Sequence, residues 1–404
     1  MVPYYRRNFW VLWLATFLAS SAWSQIVPFL PLFLRDLGVA DSNLNQWSSS
    51  VFALQYVSAI FFMPFWGKMA DRYGRKPLML RAGFFLTALY ILMSFSTSPY
   101  HVAIIRFCNG ALTGFIPGGV ALCASNTPRE LTARYLAALQ TASAAGTLIG
   151  PLIGGVLADL FGFRGGLLAS GTMVGLAFVL VFVLVEERNK IVVTTRTSLF
   201  EDVKISLHHP VIFSTMVTVS LTAFATLSIQ PVLSPYIESI SHGSANWVNG
   251  AVFSLPGLAF LVTAGVWARL GERHGFEKLI PIGVFLSGLA AIMLSFAGTL
   301  PAFCVMYLVL GVFVAALRPS AAALVAQHVD QEFQGRAYAM QQSAFMFGGF
   351  AGPLAAGFIS VMVGTRWLFS WMGVFLVIGA FILQRLIATW GAKKPATPAQ
   401  PAAI

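Results

Sequence analysis

Charge is what this chain has least of. Asp, Glu, Lys and Arg make up 10% of its 404 residues, where a water-soluble domain of this length carries about 25%. That scarcity excludes an ordinary soluble enzyme or binding module. Cysteine is nearly absent too, with Cys108, Cys123 and Cys304 alone. Cys108 and Cys123 fall on one expected helix, about 22 Å apart at the helical rise, too far to bridge. The three lack metal-ligand spacing and read as buried apolar residues. Catalytic patterns are missing as well: no phosphate-binding Gly-Lys loop, no G-x-S-x-G element and no His/Asp/Ser set. The six histidines stand in connectors or at the ends of apolar runs. The sequence therefore predicts no enzyme, no metal and no cofactor.

What fills the chain is apolar sequence, 57% of all residues. Uncharged runs such as Phe9–Leu34, Tyr135–Ala158 and Ala337–Thr365 are each long enough to cross a bilayer, which takes about 20 apolar residues. The pattern predicts an all-α membrane protein of about twelve helices. They fall near 8–34, 44–66, 78–98, 101–126, 134–158, 164–186, 210–237, 245–268, 278–298, 301–327, 336–362 and 366–389. The net charge of +11 is no sign of a nucleic-acid partner. Alternating connectors put twenty of the 25 Lys and Arg on the side of both termini, with Arg35, Arg164 and Arg366 opposite and Arg106 and Arg318 within spans. By the positive-inside rule both termini are expected in the cytoplasm.

The polar connector after Glu186 separates two halves that resemble each other. At an offset of 201, Trp66 falls on Trp267, Asp71-Arg72 on Glu272-Arg273 and Gly110 on Gly311. One residue later in register, Gln140 meets Gln342, Gly150-Pro151 meets Gly352-Pro353 and Arg164 meets Arg366. The expected organisation is a six-helix half at 1–187, a cytoplasmic linker at 188–209, a second six-helix half at 210–390 and a disordered tail at 391–404. Duplicated halves of this kind in membranes place a solute site between them near the midplane.

Two motifs stand out. Gly67-Lys-Met-Ala-Asp71-Arg72-Tyr-Gly74-Arg75-Lys76 packs charge and glycine into one short connector. Gly74 suits the positive φ of a tight turn. The Asp71 carboxylate suits a helix N-terminus, where the dipole favours an anion, and Arg72, Arg75 and Lys76 can pair with acids such as Glu130 or Glu332. Gly146-x-x-x-Gly150-Pro151-x-x-Gly154-Gly155, echoed at Gly348, Gly352, Pro353 and Gly357, sets glycines on one helix face for close backbone approach, and its proline bends the helix.

These two motifs resemble the loop and antiporter signatures of the major facilitator superfamily, with Met69 where the family usually has Leu. Arg106-x-x-Asn109-Gly110 is similar to its R-x-x-Q-G element. The chain is identified as a member of the twelve-helix drug–proton antiporter branch of bacterial multidrug exporters. The resemblance implies two six-helix bundles related by a pseudo-twofold axis and export by alternating access. It also implies Asp71 docked on the helix that starts after Gly335, a small-molecule substrate, protons as the coupling ion, and a monomer in the lipid bilayer of a bacterial inner membrane. A metabolite exporter, an uptake facilitator and a non-transporting membrane sensor remain alternatives.

The cavity candidates are Arg106 and Arg318, costly in lipid by ~2.5–3.5 kcal/mol or more and so expected on a polar cavity, with Gln25, Tyr56, Asn109, Gln140, Gln230 and Gln342. Gln140 and Gln342 are expected to face each other across the axis. Many relatives of this branch carry an acid within the first, seventh or tenth span. Here those spans offer Gln25, Gln230 and Arg318 instead, which favours neutral, zwitterionic or anionic amphiphiles over cations.

Overall fold

The computed structural model describes residues 3–188, 199–241, 243 and 245–391, without the side chains of residues 71, 129, 199, 200, 202, 332 and 389–391; the expected tail lies outside it. Fifteen α-helices account for nearly all of it: α1 (Tyr4–Ile26), α2 (Leu30–Asp36), α3 (Asp41–Tyr73), α4 (Arg75–Ser94), α5 (Pro99–Leu112), α6 (Phe115–Asn126), α7 (Arg129–Leu184), α8 (Leu199–His208), α9 (Pro210–Ser241), α10 (Asn246–His274), α11 (Phe276–Leu294), α12 (Leu300–Val314), α13 (Leu317–His328), α14 (Gln331–Val363) and α15 (Thr365–Gly391).

Among the described residues, eleven helical stretches are long and apolar enough to cross a membrane. One of them, within α7, has 55 residues, roughly 80 Å of helix against a hydrocarbon core of about 30 Å. Gly162 resolves the excess: at φ 69° and ψ 174° it turns the chain back. α7 is thus two spans, which brings the total to twelve. The repeat-related Gly364 makes the same turn at φ 81° between α14 and α15.

Three expected spans are broken. Pro28 and Pro31 put a 3-10 turn, Val27–Phe29, between α1 and α2. The fourth span parts at Thr113-Gly114, where Gly114 has φ 132°. The tenth parts at Ala315-Ala316. The linker also departs from expectation: its second part folds into α8, which presents Val203, Ile205 and Leu207 outward.

Several side-chain bonds recur at equivalent places in the two halves. Trp66 Nε1 donates to the carbonyl of Ala111, and Trp267 Nε1 to that of Val312, each at 2.7 Å. Arg164 holds the Ser94 carbonyl and Arg366 the Ser295 carbonyl, each at 2.6 Å. Ser98 and Thr299 cap α5 and α12 at matching positions. Such agreement at the offsets read from sequence makes the fold two six-helix bundles related by duplication.

Contacts between the bundles gather at the end away from the termini, the distal end. There Arg35 Nη1 donates to Glu238 at 2.6 Å and Asn45 Nδ2 to Thr365 Oγ1 at 2.9 Å. Ser234 Oγ donates to the Pro28 carbonyl. Asp159 accepts three hydrogen bonds from Asn246 and Trp247. Along α3, Val51 and Phe52 near this end are buried, whereas Phe61 (73% exposed) and Phe65 toward the terminal end are not. The bundle is closed distally and parted at the terminal end.

Candidate functional site: the central cavity

Between the bundles lies a cavity of about 560 Å³, within the range of drug-sized ligand sites. Both halves wall it. The first contributes Trp23, Gln55, Tyr56 and Asn109; the second contributes Gln230, Phe260, Arg318 and Phe345. Ser20, Ser143, Thr147, Thr222 and Thr226 add hydroxyls, and no Asp or Glu lies among the lining residues described.

Arg318 is the charge this wall presents. It starts α13 just past the break in the tenth span, and its side chain stays exposed to the cavity. Its guanidinium stands 4.4 Å from the centre of the Phe345 ring and meets no acid among the described residues. A cation over an aromatic face gains roughly 0.5–2 kcal/mol and keeps its hydrogen-bond donors free for a ligand. Tyr56 is within electrostatic range of both Arg318 and Arg106.

Arg106 is not on the wall. At 1% exposure it sits one layer behind, giving Nη1 to Gln55 Oε1 at 2.7 Å. Gln55 and Asn109 stand between it and the cavity. Its Nε and Nη2, like Asn109 Nδ2 and Gln230 Oε1, have no hydrogen-bond partner among the described residues. Gly110 makes the burial possible, because a methyl there would run into the Gln55 carbonyl and Ser58 Oγ.

Gln25 also departs from expectation. Its amide donates to the Gly166 carbonyl at 2.9 Å, and it lines a separate void of about 20 Å³ with Phe29 and Phe163. Ala19, Ser20 and Trp23 are the α1 residues that face the cavity; Gln25 lies some 200° round the helix from Trp23. Gln140 and Gln342 are off the wall too. Each precedes wall residues by one turn, Ser143 on α7 and Phe345 on α14, which puts both toward the open terminal end.

The glycine-proline motif divides its work. Methyl groups at Gly146, Gly150 and Gly154 would strike α1, at Phe17, Ser21 and Gln25 in turn. This face seats two helices of the same half. Gly155 looks the other way, where an added methyl would come within 2.7 Å of Trp247 Cα, and one at Gly250 would meet the Pro151 carbonyl, so that face touches the other half. In the echo, Gly348 and Gly352 seat α14 on α9 beside the in-helix Pro353, while Gly357 meets Ser49 of the first half.

The charged loop turns to its own half. Gly67 leaves open space around it, and Gly74 has φ 99°. The backbone N–H groups of Arg75 and Lys76 donate to the Glu187 carboxylate at 2.8 and 3.1 Å, so Glu187 caps α4. Arg75 Nη1 reaches the Ala121 carbonyl, and Lys76 Nζ those of Phe182 and Val185. Arg72 lies over the Tyr73 ring. Among the described residues the side chains of Arg75 and Lys76 end on these carbonyls rather than on the expected Glu130, while Glu187 takes their backbone amides. The Asp71 and Glu332 side chains lie outside the described residues.

Sequence reasoning also missed Arg81. Counted among the loop cations, it lies inside α4, stacks 3.4 Å from the centre of a Trp66 ring and donates to the carbonyls of Leu112 and Thr113. Its signal was a lone arginine five residues beyond Lys76, one turn into an apolar helix.

The sequence model described as Major Facilitator Superfamily matches residues 12–254 and 215–403. The chain belongs to this superfamily. Within it, the chain is 33% identical over 390 residues to Multidrug resistance protein MdtG of Salmonella arizonae, covering 96% of this chain and 95% of that protein. It is 34% identical over 391 residues to the protein of the same name from Salmonella paratyphi B, with the same coverage. Among solved structures, a bacterial homologue of the human lysosomal transporter Spinster, inward-facing and unoccupied, superposes with a TM-score of 0.80. It is 14% identical and covers 99% of this chain and 100% of that one; at that identity the likeness speaks for the fold. Fold and family are those of transporters, and the protein is a multi-pass membrane protein.

Proposed function

We propose that the protein is a secondary exporter of small amphiphilic molecules, of the multidrug type, working by alternating access with proton coupling. The observation that carries this reading is the central cavity: drug-sized, aromatic-walled, shared by both bundles and open at one end only. The names of the relatives support the direction, and the duplicated bundles support rocking of one half against the other. The assigned units are 1–187, the connector 188–209, 210–390 and the tail 391–404. The proposed setting is a bacterial cytoplasmic membrane with both termini inside, because nineteen of the 25 Lys and Arg belong to that side even with Arg81 set aside within α4. A monomer suffices, since both walls come from one chain.

The wall favours anionic, zwitterionic or neutral amphiphiles, with Arg318 as the charged handle and Tyr56, Asn109 and Gln230 as polar partners. Asp71 serves as the terminal-end clasp when that end closes. A carboxylate-free cavity leaves the proton to acids at the ends, among them Asp36, Glu238 and Asp71. It also favours one second reading, a facilitator moving anions down their own gradient.

A susceptibility panel in an efflux-deficient host tests the proposal. Wild type should raise the tolerated concentration of several amphiphiles, and Arg318→Ala should lose that protection selectively for anionic compounds. Equal growth of expressing and empty hosts across the panel refutes export. In proteoliposomes, proton movement on substrate addition separates antiport from the facilitator.

A further inference from the structure

The motif at 67–74, G-K-M-A-D-R-Y-G, has a second copy that sequence inspection passes over because it lies inside an apolar run. Residues 155–162 read G-V-L-A-D-L-F-G, with Gly, Ala, Asp and Gly at the same four places. Both copies end a helix of the first half, and both final glycines, Gly74 at φ 99° and Gly162 at φ 69°, turn the chain into the next span. One copy sits at the terminal end, the other at the distal end. Matching frames end at Gly275 and Gly364, also at positive φ, with Glu272 in the acid position of one and Val361 in the other.

Asp159, the acid of the distal copy, is engaged across the halves. Its Oδ1 accepts from Asn246 N and Nδ2, both at 2.9 Å, and its Oδ2 from Trp247 N at 3.0 Å. These are the first two amides of α10. Among the described residues that helix has no cap of its own: its N-cap is Ala245, without a capping side chain, and its first turn carries no acid. A helix N-terminus with unpaired N–H groups and a positive dipole end favours such a carboxylate.

We propose that Asp159 is a distal clasp, a positioning residue for the transport cycle that caps α10 only while the distal end is shut. Opening that end withdraws α7 from α10 and returns the amides and the carboxylate to water. The clasp thereby weights the cycle toward the distally closed state. Being at the surface, it is screened, and its weight is that of one good cap rather than of a buried ion pair.

The test uses the full chain in lipid, without native cysteines, with Thr97→Cys and Gly298→Cys spin-labelled on the distal faces of the two halves. Distance distributions give the ratio of distally open to closed molecules. Asp159→Ala should raise that ratio about tenfold, the equivalent of ~1.4 kcal/mol. Asp159→Asn, which turns a donor toward Trp247 N–H, should raise it severalfold and serves if the alanine variant inserts poorly. Ala245→Ser gives α10 a cap of its own. It should raise the ratio by itself and cut the effect of Asp159→Ala to less than half. An unmoved distribution in both Asp159 variants overturns the proposal. So does an Asp159 effect of undiminished size in the Ala245→Ser background, since a merely structural aspartate would act independently of that cap.

Discussion

Gly155→Ala should tip the conformational balance without loosening either bundle. A methyl at Gly155 would lie 2.7 Å from Trp247 Cα, 2.8 Å from the Asn246 carbonyl and 3.0 Å from Trp247 N. All three are backbone atoms, so no rotamer can give way. Ordinary contact needs the helices to part by about 0.7 Å, and overpacking of this kind costs typically 1–3 kcal/mol. The cost falls on the distally closed state alone, because Trp247 belongs to the other half. The closed-to-open ratio should therefore fall by about 5- to 150-fold. Gly357→Ala, facing Ser49 Cβ at 2.7 Å on the opposite seam, should behave alike, and the two effects should multiply because they share no partner. Gly150→Ala is the control: its methyl would strike Ser21 and Ser24 of its own half, which lowers the melting temperature in both states. The assay is crosslinking between Asn45→Cys and Thr365→Cys, whose wild-type side chains bond across the distal end at 2.9 Å. Undiminished yield in Gly155→Ala and Gly357→Ala, or an equal loss in Gly150→Ala, would refute this division of labour.

Three further outcomes are expected. Gln55→Leu removes the acceptor that Arg106 uses at 2.7 Å and should lower stability by about 1.5–3 kcal/mol, the worth of a hydrogen bond to a charged group; thermal melting in detergent reads it. Trp66→Phe and Trp267→Phe each lose one bond to a helix-break carbonyl and should cost about 1 kcal/mol apiece, additively in the double variant. Hydrogen bonds from Arg7 and then Arg188 hold the Glu186 carboxyl below its ordinary value of 4.5. A depressed folded value means stability that is present above the unfolded value and lost as pH falls through the folded one. The melting curves of wild type and Glu186→Gln should therefore differ slightly at neutral pH and converge in acid.

The spans, the duplication and the importance of Arg318 were legible because each is written in local sequence: apolar length, repeated offsets, and a cation stranded among apolar residues. The Gly-Pro motif announced close packing, though not which of its glycines met its own half and which the other. The helix breaks at Gly114 and Ala315 carried a local mark that went unused, Pro117 and Pro319, each of which denies a helical partner to the carbonyl four residues back, at Thr113 and Ala315. Trp66 and Trp267 hold the neighbouring carbonyls of Ala111 and Val312 from elsewhere in the chain. Arg106 was placed on the cavity by the cost of its charge in lipid and by its motif, and Gln25 by a polar side chain within the first span. A rotation about the helix axis decides the matter, and in both cases the polar atoms were taken up by a neighbour, Gln55 or the Gly166 carbonyl. Glu187 and Asp159 could not be read as caps, since capping across more than eighty residues of chain is a property of assembled bundles.

The two halves are not equal levers. At the break in the fourth span, Arg81 and Trp66 together pin the carbonyls of Ala111, Leu112 and Thr113. At the matching break in the tenth span Trp267 acts without such a companion, because the position equivalent to Arg81 is Ile282. Any bending during turnover should therefore concentrate in the second bundle, which carries Arg318 at that joint, with the first as the stiffer anvil against which it works.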